Sequence, residues 1–391
     1  MNPIPPVKAG GPQLVIWNTC KHLSNEEFEW KVLSLWDEAV DAVDFDRERF
    51  VQVRVGKRET KISQLAQKLP YRLVKGWFGV VRPDHLALNL AMVRELKRMK
   101  PDVVIVHESY SLCFMVARAL PKAKIVFYHH SCKLYSDLDE NSWQRLLRSA
   151  KSGIVTINNQ AVSLAENKFG IKPIRHWVIL NGVDDAFLAE NRNTDSNNGV
   201  FEFLYVGRLH EGKGLIELLD AFRIVLDQHL ESVSLKIVGS TANDEDGESH
   251  FEAKLVEKVA SFPAGSVRML GFIPNSELVD IYARANCGVL PTRMMEGNSL
   301  FLMECLAMGV PVIATRIGGV PDVIRDGMDG ILIGEEADAK ELAEAMISMI
   351  IEKELWRSRR SEILKHAREV FNYRRVAGQV EELIQEILFD G

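Results

Sequence analysis

The sequence predicts an α/β protein built from two doubly wound parallel sheets, and three observations predict it. Short apolar runs rich in Val, Ile and Leu alternate with helical stretches from residue 83 onward. The alternation stops once, at the polar run AENRNTDSNNG (189–199), and then restarts. At 391 residues and 47% hydrophobic composition, the chain is long enough for two cores. Strands alternating with helices favour parallel sheets covered on both faces.

The chain opens on MNPIPPVKAGGPQL, a Pro/Gly loop leading into a helix near 12–25. In a chain of βαβ units such a loop follows a strand, so the first strand of the first sheet is expected to be missing. Apolar runs follow at 28–36 and 50–55. Helices near 84–99, 111–119, 141–150 and 160–168 then alternate with DVVIVHE (102–108), KIVFYHH (124–130), GIVTIN (153–158) and HWVIL (176–180). After the break, FEFLYVG (201–207), SLKIVG (234–239), VRMLG (267–271), CGVLP (287–291), PVIAT (311–315) and GILI (330–333) read as strands. Helices fall near 213–229, 249–260, 276–285, 299–309 and 337–352, and a charged helical tail is interrupted near 371–375.

The net charge of −6 hides an asymmetry. Residues 1–180 hold 27 basic against 18 acidic side chains, and the remainder 21 against 36, which suggests separate partners for the two halves. The five cysteines (Cys20, Cys113, Cys132, Cys287, Cys305) form no CxxC pair, which suits a reducing cytoplasm. No apolar run approaches the roughly 20 residues of a bilayer span, and the first residues lack the pattern of a signal peptide. A cytoplasmic location is expected. Residues 57–82 are basic and carry Tyr71, Trp77 and Phe78. The favoured reading there is an ordinary acceptor-side helix and loop packed on the sheet, and its alternative is peripheral contact with anionic lipid or a lipid-linked acceptor. No nucleic-acid partner is expected.

Two stretches carry chemistry. GRLHEGKG (207–214) lies between a strand and a helix and nearly satisfies the P-loop pattern GxxxxGK[ST]. Gly214 stands where the magnesium-holding hydroxyl belongs, so nucleotide hydrolysis is not expected. Arg208 and Lys213 still bring two cations to one helix N-terminus, which suits a diphosphate. The second stretch, PTRMMEGNSLFLMECLAMGVPVIATRIGGVP (291–321), places Glu296 and Glu304 eight residues apart across a loop and a helix start capped by Asn298 or Ser299. On one continuous helix that spacing is about 12 Å along the axis, a poor fit to an acid/base pair facing one bond. Holding vicinal hydroxyls of a ribose or sugar suits the two carboxylates better. Asp-x-Asp triplets at 44–46, 137–139 and 244–246 end no convincing strand, so no metal is expected.

GRLHEGKG, followed by EGNSLFLMECLAMGVPVIAT, resembles retaining glycosyltransferase family 4 (glycosyltransferase group 1), of GT-B fold. PPVKAGG (5–11), His129-His130, NGVD (181–184) and GGVPDVI (318–324) agree with that resemblance. It implies two Rossmann-like domains facing across a cleft. Residues 1–180 would form the acceptor-side domain, 181–370 the nucleotide-sugar domain, and 371–391 a helix returning to the first. It further implies that Arg208 and Lys213 bind the donor diphosphate, that Glu304 holds the ribose, and that Glu296 contacts the transferred sugar. Gly207, Gly297, Asn298, Ser299 and Leu300 would line the donor, Gly271, Phe272 and Ile273 would meet the base, and Gly10 and Gly11 would approach the diphosphate. His130 is the candidate histidine near the donor sugar, with His129 as its alternative because alternation sends the two to opposite faces.

The expected activity is therefore metal- and cofactor-independent transfer of a hexosyl group with retention. A UDP-sugar is favoured over a GDP-sugar as donor. The acceptor is a glycan, a lipid-linked molecule or a small molecule, in cell-surface polysaccharide or glycoconjugate synthesis. The competing readings are a nucleotide-sugar epimerase, which would need further acid/base carboxylates, and a non-catalytic sugar-nucleotide-binding protein.

Overall fold

The computed structural model describes residues 4, 11–24, 27–79, 83–131, 138–189, 199–228, 232–241 and 250–389. Gly10, most of PPVKAGG, Cys132, residues 80–82 of the basic stretch, Asp137 and the triplet at 244–246 lie outside them. The chain divides into two compact units, residues 1–180 with 373–391, and residues 181–372.

The first unit begins with α1 (Gly11–Lys21), β1 (Val32–Leu35), β2 (Phe50–Val53), α2 (Lys57–Gln67), α3 (Tyr71–Phe78) and α4 (Pro83–Met99). It continues with β3 (Val103–His107), α5 (Tyr110–Ala119), β4 (Lys124–His129), α6 (Glu140–Ser149), β5 (Gly153–Thr156), α7 (Gln160–Phe169) and β6 (His176–Val178). Strands β3-β4-β5-β6 form one parallel sheet, and β1 pairs with β2 in a separate one. The sequence predicts a single sheet here. The split follows from connectivity: among the described residues no strand precedes α1, and none bonds β1 to β3.

Both faces of the four-stranded sheet are buried. Ile125, Phe127 and Ile154 pack on one side with Leu96, Cys113, Trp143 and Leu146 of the intervening helices. Val126, Tyr128 and Val155 pack on the other with Val15 of α1 and with Val376, Val380, Leu383 and Ile387. Those last four recur at helical spacing, and they come from the final helix of the chain, Tyr373–Phe389.

The second unit contains α8 (Asp185–Leu188), β7 (Phe201–Val206), α9 (Leu215–Asp227), β8 (Val233–Val238), α10 (His250–Ala260), β9 (Val267–Met269) and α11 (Asn275–Tyr282). Then come β10 (Cys287–Leu290), α12 (Leu300–Ala307), β11 (Val312–Thr315), α13 (Val320–Val323), β12 (Gly330–Ile333), α14 (Ala339–Ile351) and α15 (Lys353–Val370). Tyr373–Phe389, which follows, is α16 of the first unit. All six strands are parallel, in the order β12-β11-β10-β7-β8-β9. The order reverses between β7 and β10. A doubly wound sheet opens a ligand crevice outside the carboxyl ends of its strands at such a point. No helix among the described residues is long and apolar enough to cross a membrane.

Candidate active site

The loops leaving β7 and β10 meet at this switch point, and they are the two stretches singled out in the sequence. Leaving β7, the chain turns at Gly207 and Arg208, where the Tyr205 hydroxyl donates to the Arg208 carbonyl at 2.8 Å. Burial and the Glu296 carboxylate push that phenol well above its usual range, and Arg208 partly offsets them. Both charges therefore act on one hydroxyl at the strand end. A single 3₁₀ turn, Glu211–Lys213, follows and is capped by His210. Its last side chain, Lys213, donates to Glu296 Oε2 at 2.5 Å, and both side chains are mostly buried.

Gly214 explains the departure from the P-loop pattern. Its φ is 72°, and a Cβ there would stand 1.9 Å from the Pro291 carbonyl oxygen. A serine or threonine cannot occupy that position without moving the β10 loop. Two further bonds lace the loops together, because Arg293 N–H and Thr292 Oγ1 both donate to the Gly212 carbonyl, at 2.9 and 3.3 Å. On the other side the GGVP turn after β11 closes on Glu296. Gly319 N–H donates to the Glu296 carbonyl at 2.8 Å, and a Cβ on Gly318 would lie 2.1 Å from that oxygen.

Beyond Glu296, Ser299 is the N-cap of α12, accepting from Leu302 N–H at 3.5 Å. Asn298, the other candidate cap, turns away and accepts from Asn181 N–H at 2.9 Å. Glu304 lies on α12 and is only 7% exposed. Burial pushes its carboxyl up to about 7; the Tyr282 hydroxyl, donating at 2.5 Å, opposes that rise, and Asp184 adds to it. The two glutamates thus sit in different surroundings, one paired with a lysine and one buried against a phenol. Gly297 and Leu300 flank Asn298 and Ser299 at the head of α12, while Gly271 (φ 69°), Phe272 (65% exposed) and Ile273 form the loop after β9.

In the first unit, Gly11 starts α1. A second cluster lies at the carboxyl ends of β3 and β4. His130 donates its backbone N–H to Glu108, and its Nε2 lies 2.8 Å from His107 Nδ1. The His130 ring stacks on Tyr128 at 4.4 Å. His129 points to the opposite face, its Nδ1 3.1 Å from Glu108 Oε1. Burial depresses His107 to about 4 and His130 well below the usual imidazole range, the neighbouring imidazoles adding to the latter. Glu108 is held below its ordinary value: burial alone would raise it, but His129 and the His130 N–H outweigh that. Glu108 has φ 61°, a left-handed conformation unusual for a residue that is not glycine.

Sequence reasoning left His107 and Glu108 outside the candidate set, and it missed Tyr205 and Tyr282. The repeated polar ending of adjacent strands, His-Glu and His-His, was the available signal. Asp46, from one Asp-x-Asp triplet, accepts from Glu48 and Arg49 N–H as a turn residue, and Asp139, from another, caps α6. Among the described residues no cluster of His, Cys, Asp and Glu is placed to hold a metal ion.

Two parallel α/β units, the second with a topological switch point, have the architecture of the GT-B fold. Residues 9–187 match Glycosyltransferase Family 4, and residues 201–352 match Glycosyl transferases group 1. The chain belongs to this glycosyltransferase family. It is 25% identical over 286 residues to an uncharacterized 41.2 kDa protein in the cps region of Klebsiella pneumoniae, spanning 68% of this chain and 74% of that protein. It is 23% identical to the lipopolysaccharide 1,2-N-acetylglucosaminetransferase of Salmonella typhimurium over 81% of each chain. Among solved structures, HepE of Anabaena in complex with UDP superposes with a TM-score of 0.66 at 17% identity, over 86% of this chain and 98% of that one.

Proposed function

We propose that the protein moves a hexosyl group from a nucleotide-sugar, a UDP-sugar in preference to a GDP-sugar, to an acceptor with retention and without a metal or other cofactor. The observation that carries this is the Lys213–Glu296 pair at the switch point between β7 and β10. A cation fixed beside a carboxylate matches a donor with a diphosphate at one end and sugar hydroxyls at the other. Lys213 and Arg208 neutralise charge on the departing nucleotide, which is the largest lever on such a bond. Glu296 accepts from hydroxyls of the transferred sugar, and Glu304 from those of the ribose. The N–H groups of Gly297, Asn298, Ser299 and Leu300 line sugar and phosphate. Gly271, Phe272 and Ile273 meet the base, and Gly207 allows close approach to the diphosphate. His130, neutral near pH 7, acts as a hydrogen-bonding group rather than a cation.

UDP bound to HepE supports the uridine donor. The cps-region and lipopolysaccharide relatives support a glycan or lipid-linked acceptor in surface polysaccharide synthesis. The basic stretch at 57–79 supports acceptor binding at a membrane surface from the cytoplasmic side. Thermal shift with UDP-, GDP- and ADP-sugars tests the donor, because binding raises apparent stability by mass action. The uridine compound is expected to give the largest shift, and no shift with any of them would sink the reading. Glu296→Ala is expected to abolish transfer while UDP affinity stays within about threefold of wild type, a difference of under 1 kcal/mol. Isomerised donor without any acceptor would favour the epimerase instead.

A further inference from the structure

In the first unit, α3, α5 and α6 line a groove of about 640 Å³. Lys75, Arg118, Arg145 and Arg148 line it against one carboxylate, Asp139, with Phe114 among its apolar lining. Lys75 pairs with Asp139, whereas the three arginines are anchored by neutral partners among the described residues. Arg145 donates to the Lys75 carbonyl at 2.7 Å, and Arg118 donates to the Trp77 carbonyl at 3.0 Å. Both guanidinium groups lie over the Phe114 ring, at 4.9 and 5.6 Å from its centroid. Backbone carbonyls at the end of α3 thus fix their direction and use few of the five N–H groups each carries. Among the described residues, Arg148 hydrogen-bonds only the neutral Gln144 amide, at 3.3 Å. The lone carboxylate is already engaged: Asp139 caps α6 and meets Lys75 at 3.0 Å, which with its other hydrogen bonds depresses it to about 2.

Capping the carbonyl end of α3 would need one such side chain, and four cations around a single engaged acid exceed that need. The surface beside the groove is apolar in an unusual way. Leu65, Leu69, Tyr71, Leu73 and Trp77 of α2, α3 and their connection are each more than a third exposed. Lys61, Lys68 and Arg72 are exposed among them. Exposed aromatic and leucine side chains interleaved with cations complement the surface of an anionic bilayer, where rings sit at headgroup depth and cations meet phosphates.

We propose that this groove is a headgroup site for an anionic phospholipid. Arg118, Arg145 and Arg148 hold the phosphate, and Tyr71, Leu73 and Trp77 enter the interface beside it. The inference rests on the membrane-contact reading above and locates it on one side-chain cluster.

The test is co-sedimentation of the full-length protein with vesicles of phosphatidylcholine alone and of phosphatidylcholine mixed with phosphatidylglycerol. The wild type is expected to prefer the mixed vesicles and to be released by salt. Arg148→Gln should weaken that binding about fivefold, and Arg118→Gln with Arg148→Gln about twenty-five-fold. Trp77→Ala should weaken binding while keeping the anionic preference. Arg148 is exposed and bonds one neutral neighbour, so the single variant keeps its fold, which circular dichroism melting checks. Undiminished binding of both arginine variants, with Trp77→Ala impaired, would overturn the groove while leaving membrane contact standing. No binding of the wild type to either vesicle would overturn both. In that case, protection of Arg148 from phenylglyoxal by inorganic phosphate would reassign the groove to a soluble phosphate and reject the lipid.

Discussion

The carboxyl edges of the two sheets are built alike, but one holds a charged pair and the other neutral imidazoles. At the second unit's switch point a cation and a carboxylate are paired: Lys213 and Glu296 stand 2.5 Å apart, and Arg208 is exposed nearby at the strand end. At the first unit's edge, burial strips charge from the imidazoles, with His107 depressed to about 4 and His130 well below its usual range. The difference teaches what each edge is suited to meet. A fixed cation beside a carboxylate favours a phosphate that gains charge as a bond breaks, whereas neutral imidazoles favour uncharged hydroxyls. Perturbed titratable groups gather at functional sites, and at both edges burial is the leading cause of the perturbation.

The strongest way to break this comparison is to remove the cation. Lys213→Ala is expected to lower kcat/KM for the donor by about 10²–10³-fold, the scale seen when one preorganised charge-stabilising group is lost. UDP affinity should fall as well, because in the proposed site the same cation meets the diphosphate before and after the bond breaks. Calorimetric titration with UDP and steady-state transfer read the two effects separately. Unchanged UDP affinity would remove the phosphate assignment.

The two edges should also answer pH with opposite signs. Glu304 holds its proton up to about 7 in the folded chain, against an ordinary 4.5. Below the ordinary value the folded and unfolded chains are both protonated and nothing is lost. As pH rises from 4.5 toward 7 the unfolded chain releases its proton first, and stability falls until the folded group has ionised. A gap of that size corresponds to about 3 kcal/mol. Glu304→Gln keeps an acceptor for Tyr282 and removes the titration. It should therefore unfold at higher urea than wild type above neutral pH and at the same urea in acid. Equal midpoints at every pH would show that the carboxylate is not desolvated.

His107 runs the other way. Above its ordinary value of 6.5 the imidazole is neutral in both states, and stability is intact. As pH falls from 6.5 toward about 4, the unfolded chain takes up a proton that the folded chain refuses, and stability is lost. The ring is half-buried and shares its environment with His130, so about 2 kcal/mol is the expected share. His107→Gln should flatten the acid limb of a urea-unfolding profile by that amount and leave the alkaline limb unchanged. An unaltered acid limb would move the acid sensitivity to Glu108 or His130.

Most strands and helices were legible because each is a short apolar run bounded by turn residues, and the periods of 2 and 3.6 separate cleanly from residue 83 onward. Parallel pairing followed from alternation. The split between the β1–β2 pair and the four-stranded sheet was not, because pairing depends on which strand lies beside which. At the site, the residue types and spacing of Arg208, Lys213, Glu296 and Glu304 pointed to a diphosphate and to hydroxyls. Spacing could not show that Lys213 and Glu296 engage each other, since that contact comes from two loops 83 residues apart. Gly214 read as a defect in a P-loop, and only the Pro291 carbonyl beside it shows why no side chain fits. The positive φ of Glu108 leaves no mark in the sequence at all.

The smallest effect separates two neighbours that the sequence left interchangeable. Ser299 and Asn298 are both good N-cap residues, and both side chains are buried at the head of α12. Only Ser299 caps the helix, through Leu302 N–H, over a long 3.5 Å contact. Ser299→Ala should therefore cost about 0.5–1 kcal/mol, at the low end for a cap. It should speed amide exchange at Leu302 and leave Asn181 protected. Asn298→Ala should do the reverse, exposing the Asn181 amide while the first turn of α12 holds. The loop after β10 would then be fixed at two separable points, one serving α12 and one serving the segment at Asn181 where the second unit begins. If both substitutions loosened Leu302 equally, the two anchors would be one.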